Sequence, residues 1–302
     1  MSSSSTPLFE EFGGEVWRIR RFADDSDKRF SAFNASIAHS PTEGYVVLMR
    51  SSNYFFDPET GDTVATLGSR VKNRMWMANL SSDWTIKEES MRELDFSRCG
   101  NFLRGPEDGR LFWRDGAWHI LSVMREPYVT NDIPRLGTFK LSGIVAELVS
   151  LHTDGELQPV EKNWMPSYEP NESFDFVYSS TSIYKSGVGK VYRREPSELA
   201  GNNIRGGSQL WDLGDTYLAI VHQARTSEAT KYSARHFGYR VKTIRKYVHQ
   251  FATYDKTGRL LQITDAFSFN GVDIEFAAGL VVSEDDVIVS YGYKDVASYL
   301  GK

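Results

Sequence analysis

An adjacent acid pair, Glu107-Asp108, stands in a Gly/Pro turn between two arginines, Arg104 and Arg110. The turn leads directly into an apolar run, Leu111 to Met124, of the kind that forms a buried strand. Charged groups at the head of a rigid strand are a common way to present acid–base chemistry or to bind a polar ligand. The alternative is a solvated turn between two strands, since turns rich in Gly, Asp and Pro are frequent.

The apolar run belongs to a strand-turn-strand unit that recurs along the chain. This unit turns at Asp115-Gly116, a dipeptide typical of tight β-hairpins. Related units, two of them looser, make five in total, at residues 33–50, 111–123, 164–178, 208–222 and 280–292. Irregular repetition of small antiparallel sheets is typical of a β-propeller. The sequence therefore predicts an all-β fold, a five-bladed β-propeller with a central active-site funnel, in preference to a β-sandwich.

In every unit, polar or charged groups stand at the end that would face the funnel. In chain order these are Asn34 and Arg50, Asp108 and Arg110, Lys162 and Asn163, Arg205 and His222, and Glu275 and Asp295. Structural alternatives exist: Arg50 in a surface ion pair, His222 as a core histidine, or Glu275 as the cap of a neighbouring turn. Because such groups recur in all five units, a shared site is favoured over five separate structural roles. Carboxylates on one side of a funnel and cations on another would bind a ligand that has hydroxyls and a phosphate.

Composition narrows the class of protein. The 302 residues are 40% apolar and 25% charged, as in an ordinary globular protein, and a net charge of −5 argues against a general nucleic-acid binder. A nucleic acid would be a partner only as an acceptor that the protein modifies. The single Cys99 excludes an intramolecular disulfide, and neither a membrane span nor a signal peptide is recognisable. We expect a cytoplasmic protein with a flexible leader at 1–14 and a single catalytic domain at 15–302.

Residues 226–249 are not explained by propeller strands. The segment interleaves Lys, Arg and His with Tyr and Phe. A solvated basic loop is one interpretation; the other is a lid that covers the funnel and meets a diphosphate or an acidic acceptor. A nucleotide diphosphate would use more of this positive charge than an inorganic phosphate would. Because the chain has no Gly-rich phosphate loop, Asp-x-Asp motif or His/Cys cluster, we expect no metal and no cofactor.

An ordered set of short motifs runs through nearly the whole chain, from Asn34 to Asp295. The motifs are Glu107-Asp108-Gly109-Arg110, Lys162-Asn163, Arg205-Gly206-Gly207, Ile220-Val221-His222, Ile274–Gly279 and Tyr291–Asp295. Their order resembles the five-bladed glycoside phosphorylases of glycoside hydrolase family 130, and it is similar to that of the related β-1,2-mannosyltransferases. Two motifs depart from the family pattern, since Glu-Asp-Pro-Arg is Glu-Asp-Gly-Arg here and Phe-Pro-Cys-Gly is Phe-Ala-Ala-Gly.

The resemblance implies a carbohydrate-active enzyme with Asp108 as its acid/base. Arg110 would orient Asp108 or bind a sugar hydroxyl. A second implied group would neutralise a phosphate in the transition state: Lys162, Arg205 and His222. Asp295 and Glu275 would hold sugar hydroxyls. The remaining candidates for substrate binding are Asn34, Arg50, Glu107 and Asn163.

Three functions follow from this arrangement. The first is an inverting glycosyltransferase that moves a sugar, with mannose as the family's commonest, from a phosphate-linked donor to an acceptor hydroxyl. The lid interpretation of residues 226–249 favours this function, with a nucleotide sugar as donor, over a phosphorylase. The second is a β-glycoside phosphorylase, which needs only the acid because phosphate is the nucleophile, or a hydrolase, which needs two carboxyl groups. The third is a non-catalytic glycan-binding propeller.

Overall fold

The computed structural model describes residues 6–19, 30–56, 63–65, 71–100, 104–125, 134–152, 162–168, 171–178, 182–192, 204–231, 240–284 and 286–302. In chain order its strands are β1 (Val16–Arg18), β2 (Ser31–Ser40), β3 (Gly44–Ser52), β4 (Tyr54–Phe56), β5 (Thr63–Ala65), β6 (Asn73–Asn79), β7 (Arg92–Glu93), β8 (Glu107–Arg114), β9 (Ala117–Arg125), β10 (Pro134–Ser142), β11 (Val145–His152), β12 (Met165–Pro166), β13 (Phe176–Val177), β14 (Ser182–Lys185), β15 (Gly189–Tyr192), β16 (Ile204–Gly206), β17 (Trp211–Asp212), β18 (Thr216–Lys231), β19 (Arg240–Asp255), β20 (Leu260–Ile263), β21 (Glu275–Ser283), β22 (Asp286–Tyr293) and β23 (Ala297–Gly301). Within these ranges the helical elements are three short 3-10 turns, at Phe9–Phe12, Glu88–Ser90 and Ser97–Cys99. None of them has the length and apolar character of a membrane-spanning helix.

Five antiparallel sheets form the blades of a five-bladed β-propeller, which confirms the predicted fold. The strand orders are β2-β3-β6-β7, β8-β9-β10-β11, β12-β13-β14-β15, β16-β18-β19-β20 and β21-β22-β23-β1 for blades 1 to 5. In blade 5, Val16 of β1 lies opposite Gly301 of β23. The ring is therefore closed within one sheet by strands from the beginning and the end of the described chain.

Tight turns join the strands where the sequence predicts them. Asp115 and Gly116 both have positive φ, 50° and 71°, and Arg114 pairs with Ala117 on either side of them. Two consecutive residues with positive φ match the twist of a two-residue hairpin, and Asp-Gly favours that conformation. Residues 138–148 span the turn between β10 and β11, which bends at Gly143 with φ 61°.

Hydrophobic clusters fill the interfaces between all neighbouring blades. Strand β8 places Leu111 in the cluster shared with blade 1 and the next residue, Phe112, in the cluster shared with blade 3. Strand β2 does the same with Ile37 toward blade 5 and Ala38 toward blade 2. Successive side chains of a strand face opposite sides, so each blade contributes to two clusters. Since burying a large apolar side chain contributes about 1.5–3 kcal/mol, these clusters hold the ring together.

The predicted flexible leader covers residues 1–14, of which the structure describes 6–14. The amide of Phe9 donates a 2.8 Å hydrogen bond to the carbonyl of Ser268. The buried Phe9 ring packs against Phe267 and Phe269, with ring centroids 5.2 Å apart in both contacts. The described part of the leader is therefore packed against the body of the protein.

Candidate active site

β-Bulges change the direction of side chains at one end of strands β2 and β8, the first strands of blades 1 and 2. Strand β2 shifts register between Phe33 and Ser36, and strand β8 shifts between Glu107 and Arg110. The extra residues, Asn34 and Asp108, have positive φ of 52° and 48°. Asn and Asp tolerate this left-handed conformation better than other residues with a side chain, and a bulge often redirects a side chain beside an active site.

Asp108 is the centre of the resulting cluster. Its Oδ1 accepts hydrogen bonds from Arg50 Nη1 at 2.8 Å and from Asn34 Nδ2 at 2.9 Å. Burial alone would raise the pKa of this carboxyl, but the charges of Arg50 and Arg110 and the bond from Asn34 lower it to about 2. Asp108 is therefore a carboxylate at every pH at which the protein would work.

Arg50 lies in the interior, not in a surface ion pair. Besides Asp108 it contacts Asn73, whose Oδ1 accepts a 3.0 Å bond from Nε, and its guanidinium lies 5.2 Å and 5.5 Å from the ring centroids of Phe33 and Tyr54. Burial disfavours its charge, but Asp108, Tyr54 and other acidic groups outweigh burial and raise its pKa. The guanidinium of Arg50 is thus held by two hydrogen bonds and two aromatic rings.

Arg110 donates its hydrogen bonds to acceptors of the protein itself. Its guanidinium donates to the carbonyls of Gly207 at 2.9 Å and Asp108 at 2.7 Å, and to Asn163 Oδ1 at 3.3 Å. The ring of Phe276 lies 5.1 Å away. The side chain is 1% exposed, which leaves no room for a sugar hydroxyl. Of the two predicted roles, Arg110 therefore fits the orientation of Asp108, through the main chain of that residue.

Glu275 does not reach the cluster. Its carboxylate accepts bonds from the amides of Phe269 at 2.8 Å, Asn270 at 2.7 Å and Val272 at 3.3 Å, and the residue is fully buried. Burial raises its pKa, against the effect of those amides. These contacts favour the structural alternative, a cap on the turn at 269–272, because three backbone donors already occupy its oxygens. The role of Glu275 in sugar binding stays a prediction.

The carboxylate of Glu107, the other residue of the acid pair, is also engaged by a protein group. Its Oε1 accepts a 3.0 Å bond from Arg125 Nε, and its carbonyl accepts one from Ser122 Oγ at 2.8 Å. The sequence predicted a binding role for Glu107. The structure places it in an ion pair at the edge of the cluster.

Asp295 is a second carboxyl in the Asp108 cluster. It lies in the turn between β22 and β23, where Lys294 and Asp295 both have positive φ. Its Oδ2 accepts a 2.8 Å bond from the Tyr54 hydroxyl. Burial raises the pKa of Asp295 to about 6, with Asp108 and Glu107 adding to the rise and Arg50 opposing it. Two carboxyl groups with very different proton affinities thus share one site.

Cations and imidazole line another part of the site. Arg205 pairs with His222 across strands β16 and β18, and Lys162 is close enough for its charge to act on both Asp108 and His222. Burial, reinforced by His249, Arg110 and the neighbouring cations, holds the pKa of His222 well below its usual value. His222 was expected to neutralise a phosphate charge. The lowered pKa favours the neutral imidazole, which can hydrogen-bond to a phosphate without contributing positive charge.

Tyr54 and Asn73 belong to the site, although the sequence did not single them out. Tyr54 connects Arg50 to Asp295, and Asn73 holds Arg50 from the other side. Asn73 also lines an open cavity of about 460 Å³ between blades 1 and 2, together with Arg74, Glu93 and Phe96. The position of Tyr54 four residues after Arg50, at the start of strand β4, was the available signal.

The segment predicted as a lid is part of a long hairpin. Strands β18 and β19 pair from Thr216 opposite Asp255 to Lys231 opposite Arg240. Strand β16 pairs only as far as Gln223, so the eight residues 224–231 continue beyond it, about 25 Å at the rise of a strand. The extension starts next to His222, at the site. The tip, 232–239, lies outside the described residues, as do the side chains of 226–231 and 240–245.

Comparisons with known proteins agree with this architecture. No protein-family model matches the chain, and no curated protein matches it. Among solved structures, the chain is similar to a β-1,2-mannobiose phosphorylase from Listeria innocua, with TM-score 0.61 and 12% identity over 95% of this chain and 96% of that one. A glycosyl hydrolase from Bacteroides ovatus gives 0.59 and 9% over 99% and 96%. A mannose phosphorylase from Leishmania mexicana, solved with a phosphate ion, gives 0.54 and 12% over 96% and 89%. The resemblance predicted from the motifs is thus confirmed at the level of the fold.

Proposed function

We propose that this protein is a glycoside phosphorylase that cleaves a β-linked sugar with inorganic phosphate. The observation that carries the proposal is the partly buried Asp108 carboxylate, held by Arg50 and Asn34, in a site that also contains Lys162 and Arg205. A fixed carboxylate suits sugar hydroxyls, and nearby cations suit a phosphate. Two structural neighbours, a β-1,2-mannobiose phosphorylase and a mannose phosphorylase, support this choice.

The reaction requires little covalent chemistry from the protein. Phosphate attacks the anomeric carbon as the glycosidic bond breaks, and the leaving oxygen takes up a proton. Lys162 and Arg205 would bind the phosphate, while neutral His222 would donate one hydrogen bond to it. Asp108 would accept a hydrogen bond from a sugar hydroxyl and stabilise positive charge that develops on the ring. In the synthetic direction the same groups would receive a sugar-1-phosphate.

A nucleotide-sugar glycosyltransferase is the second candidate. The observation that favours it is the hairpin that extends beyond β16 beside His222, because its sequence is rich in Lys and Arg. A diphosphate donor would use more positive charge than inorganic phosphate does. We place this function second because the cluster around Asp108 needs no nucleotide and because the structural neighbours' activities are phosphorolytic or hydrolytic.

A donor panel separates these functions. Purified protein would be incubated with β-linked disaccharides, with and without inorganic phosphate, and separately with sugar-1-phosphates and nucleotide sugars plus acceptors. We expect phosphate-dependent release of a sugar-1-phosphate that Asp108→Asn abolishes. Asp212→Asn is the matched control, since Asp212 pairs with Lys256 at a partly exposed position away from the cluster. Consumption of a nucleotide sugar would establish the transferase, phosphate-independent cleavage a hydrolase, and glycan binding without turnover a binding propeller.

A further inference from the structure

Asp295 and Asp108 approach the same arginine from two blades. Asp108, on blade 2, forms an ion pair with Arg50. Asp295, on blade 5, is reached from Arg50 through Tyr54: the guanidinium lies over the tyrosine ring, and the tyrosine hydroxyl bonds the carboxyl. Backbone bonds from Lys294 to Ile274 and from Val296 to Tyr293 hold the turn that carries Asp295. Both carboxyl groups are therefore fixed components of one site.

The surroundings of the two carboxyl groups differ in one decisive respect. Asp108 has a cation at 2.8 Å. Among the described residues no Lys, Arg or His lies within ion-pair distance of Asp295, and its one hydrogen-bond donor is the neutral Tyr54 hydroxyl. The residue is 9% exposed. Ionising a buried carboxyl beside an existing carboxylate, with no cation of its own, is costly, so Asp295 is the more readily protonated of the two.

We propose that Asp295, in its protonated form, is the general acid that donates a proton to the glycosidic oxygen, while Asp108 remains ionised. The inference rests on the proposed phosphorolysis and assigns its proton donor. It differs from the role expected from the sequence, in which Asp108 was the acid/base and Asp295 only held a sugar hydroxyl.

The proton balance of this step closes with inorganic phosphate. A phosphate oxygen forms a bond to the anomeric carbon while the bond from that carbon to the leaving oxygen breaks. The leaving oxygen takes the proton of Asp295 and departs as an alcohol. Hydrogen phosphate, now esterified, returns its proton to the Asp295 carboxylate, and the product leaves as a sugar-1-phosphate dianion. No further reactant is required.

The charged and titratable groups around Asp295 agree with this role. Asp108 and Glu107 raise its pKa, and Arg50 and the bond from Tyr54 lower it; burial exceeds these and sets the value at about 6. A bound phosphate would add negative charge and raise the pKa of Asp295 further. The pKa of Asp108, about 2, leaves that residue unable to donate a proton near neutral pH.

Leaving-group dependence tests the proposal directly. Asp295→Asn, Asp108→Asn and wild type would be assayed with phosphate on two substrates of the sugar that the panel identifies. One is the disaccharide, whose leaving alcohol needs a proton; the other is the 2,4-dinitrophenyl β-glycoside, whose phenolate departs without one. We expect Asp295→Asn to lose about 10²–10⁴-fold in kcat on the disaccharide and less than about tenfold on the activated glycoside. Asp108→Asn should lose activity on both.

An equal loss on both substrates would overturn the assignment, because a residue that only binds or supports the fold does not distinguish leaving groups. Melting curves of both variants would show that they fold. If Asp295→Asn does not fold, Tyr54→Phe provides the second test: the alkaline limb of kcat/KM on the disaccharide should move to higher pH, and an unmoved limb would contradict the proposal. Inactivity of the wild type on both substrates would count against phosphorolysis itself, which separates the two failures.

Discussion

Arg50 Nη1 lies 2.8 Å from Asp108 Oδ1, so blade 1 supplies the counter-ion for the carboxylate of blade 2. The two residues are 58 positions apart in the chain. Their contact crosses an interface between blades, and it links the stability of the ring to the chemistry of the site. The predictions below follow from this pair and from its neighbours.

Replacing Arg50 by Met should destabilise the protein, because it leaves Asp108 charged in the interior without its partner. Removing one member of a buried pair costs about 3–5 kcal/mol, and the partial exposure of Asp108 places the loss near the lower end. Urea unfolding would measure it. In the double variant Arg50→Met with Asp108→Asn, part of the loss should be recovered; strict additivity would show that the pair does not interact.

Stability should fall in acid as Asp108 is protonated. The folded-state pKa of Asp108, about 2, lies below that of an unfolded aspartate. Its contribution, about 2 kcal/mol, is therefore present above pH ~4 and is lost as the pH falls toward 2. The free energy of unfolding of wild type and Asp108→Asn would be compared across this range. The difference between the two proteins should shrink as the pH falls.

Asp295 should have the opposite effect. Because its folded-state pKa, about 6, is raised, its stabilising contribution is present below pH ~4 and is lost as the pH rises to 6. Relative to wild type, Asp295→Asn should therefore gain stability between pH 4 and 6, up to about 3 kcal/mol at pH 7. Denaturant unfolding at several pH values would detect this. A constant difference across the range would mean that the pKa of Asp295 is the same in the folded and unfolded states.

Glu275→Gln should lower stability without changing substrate affinity. An amide has only one acceptor oxygen for the amides of Phe269, Asn270 and Val272. Leaving a buried donor unpaired costs about 1–3 kcal/mol. Thermal unfolding and KM would be measured together. A large increase in KM at unchanged melting temperature would restore the sugar-binding role that the sequence predicted.

Gly292→Ala should reduce turnover by displacing Asn34. A Cβ at residue 292 would lie 2.0 Å from Asn34 Oδ1, so the side chain that donates to Asp108 has to move. Gly301→Ala, in the same blade, is the matched control, since its nearest contact is 3.2 Å away on the Phe9 ring. We expect a loss of about tenfold or more in kcat for Gly292→Ala, in line with the cost of misplacing a group in an active site. Equal activity of the two variants would show that Asn34 is not needed.

Local patterns were sufficient for the fold. Alternating apolar residues, Asp-Gly turns and the recurrence of one hairpin are short-range signals, and the sheets form where those signals are. The same patterns nominated Asn34, Arg50, Asp108 and Asp295, because each stands at the end of a strand or in a turn.

The assignment of roles depended on contacts between distant residues. Asp108 meets Asn34 across 74 positions, and Tyr54 meets Asp295 across 241. Glu275 was as good a candidate as Asp295 by position, yet it points to a neighbouring turn.

The sequence by itself determined an all-β, five-unit chain and a short set of charged candidates, since strand period and turn chemistry are properties of adjacent residues. Only the tertiary structure decided which carboxyl has an arginine and which is the more readily protonated. Bulges at Asn34 and Asp108 and the closure of blade 5 against blade 1 set those distances, and burial, which shifts a pKa, exists only once the ring is closed.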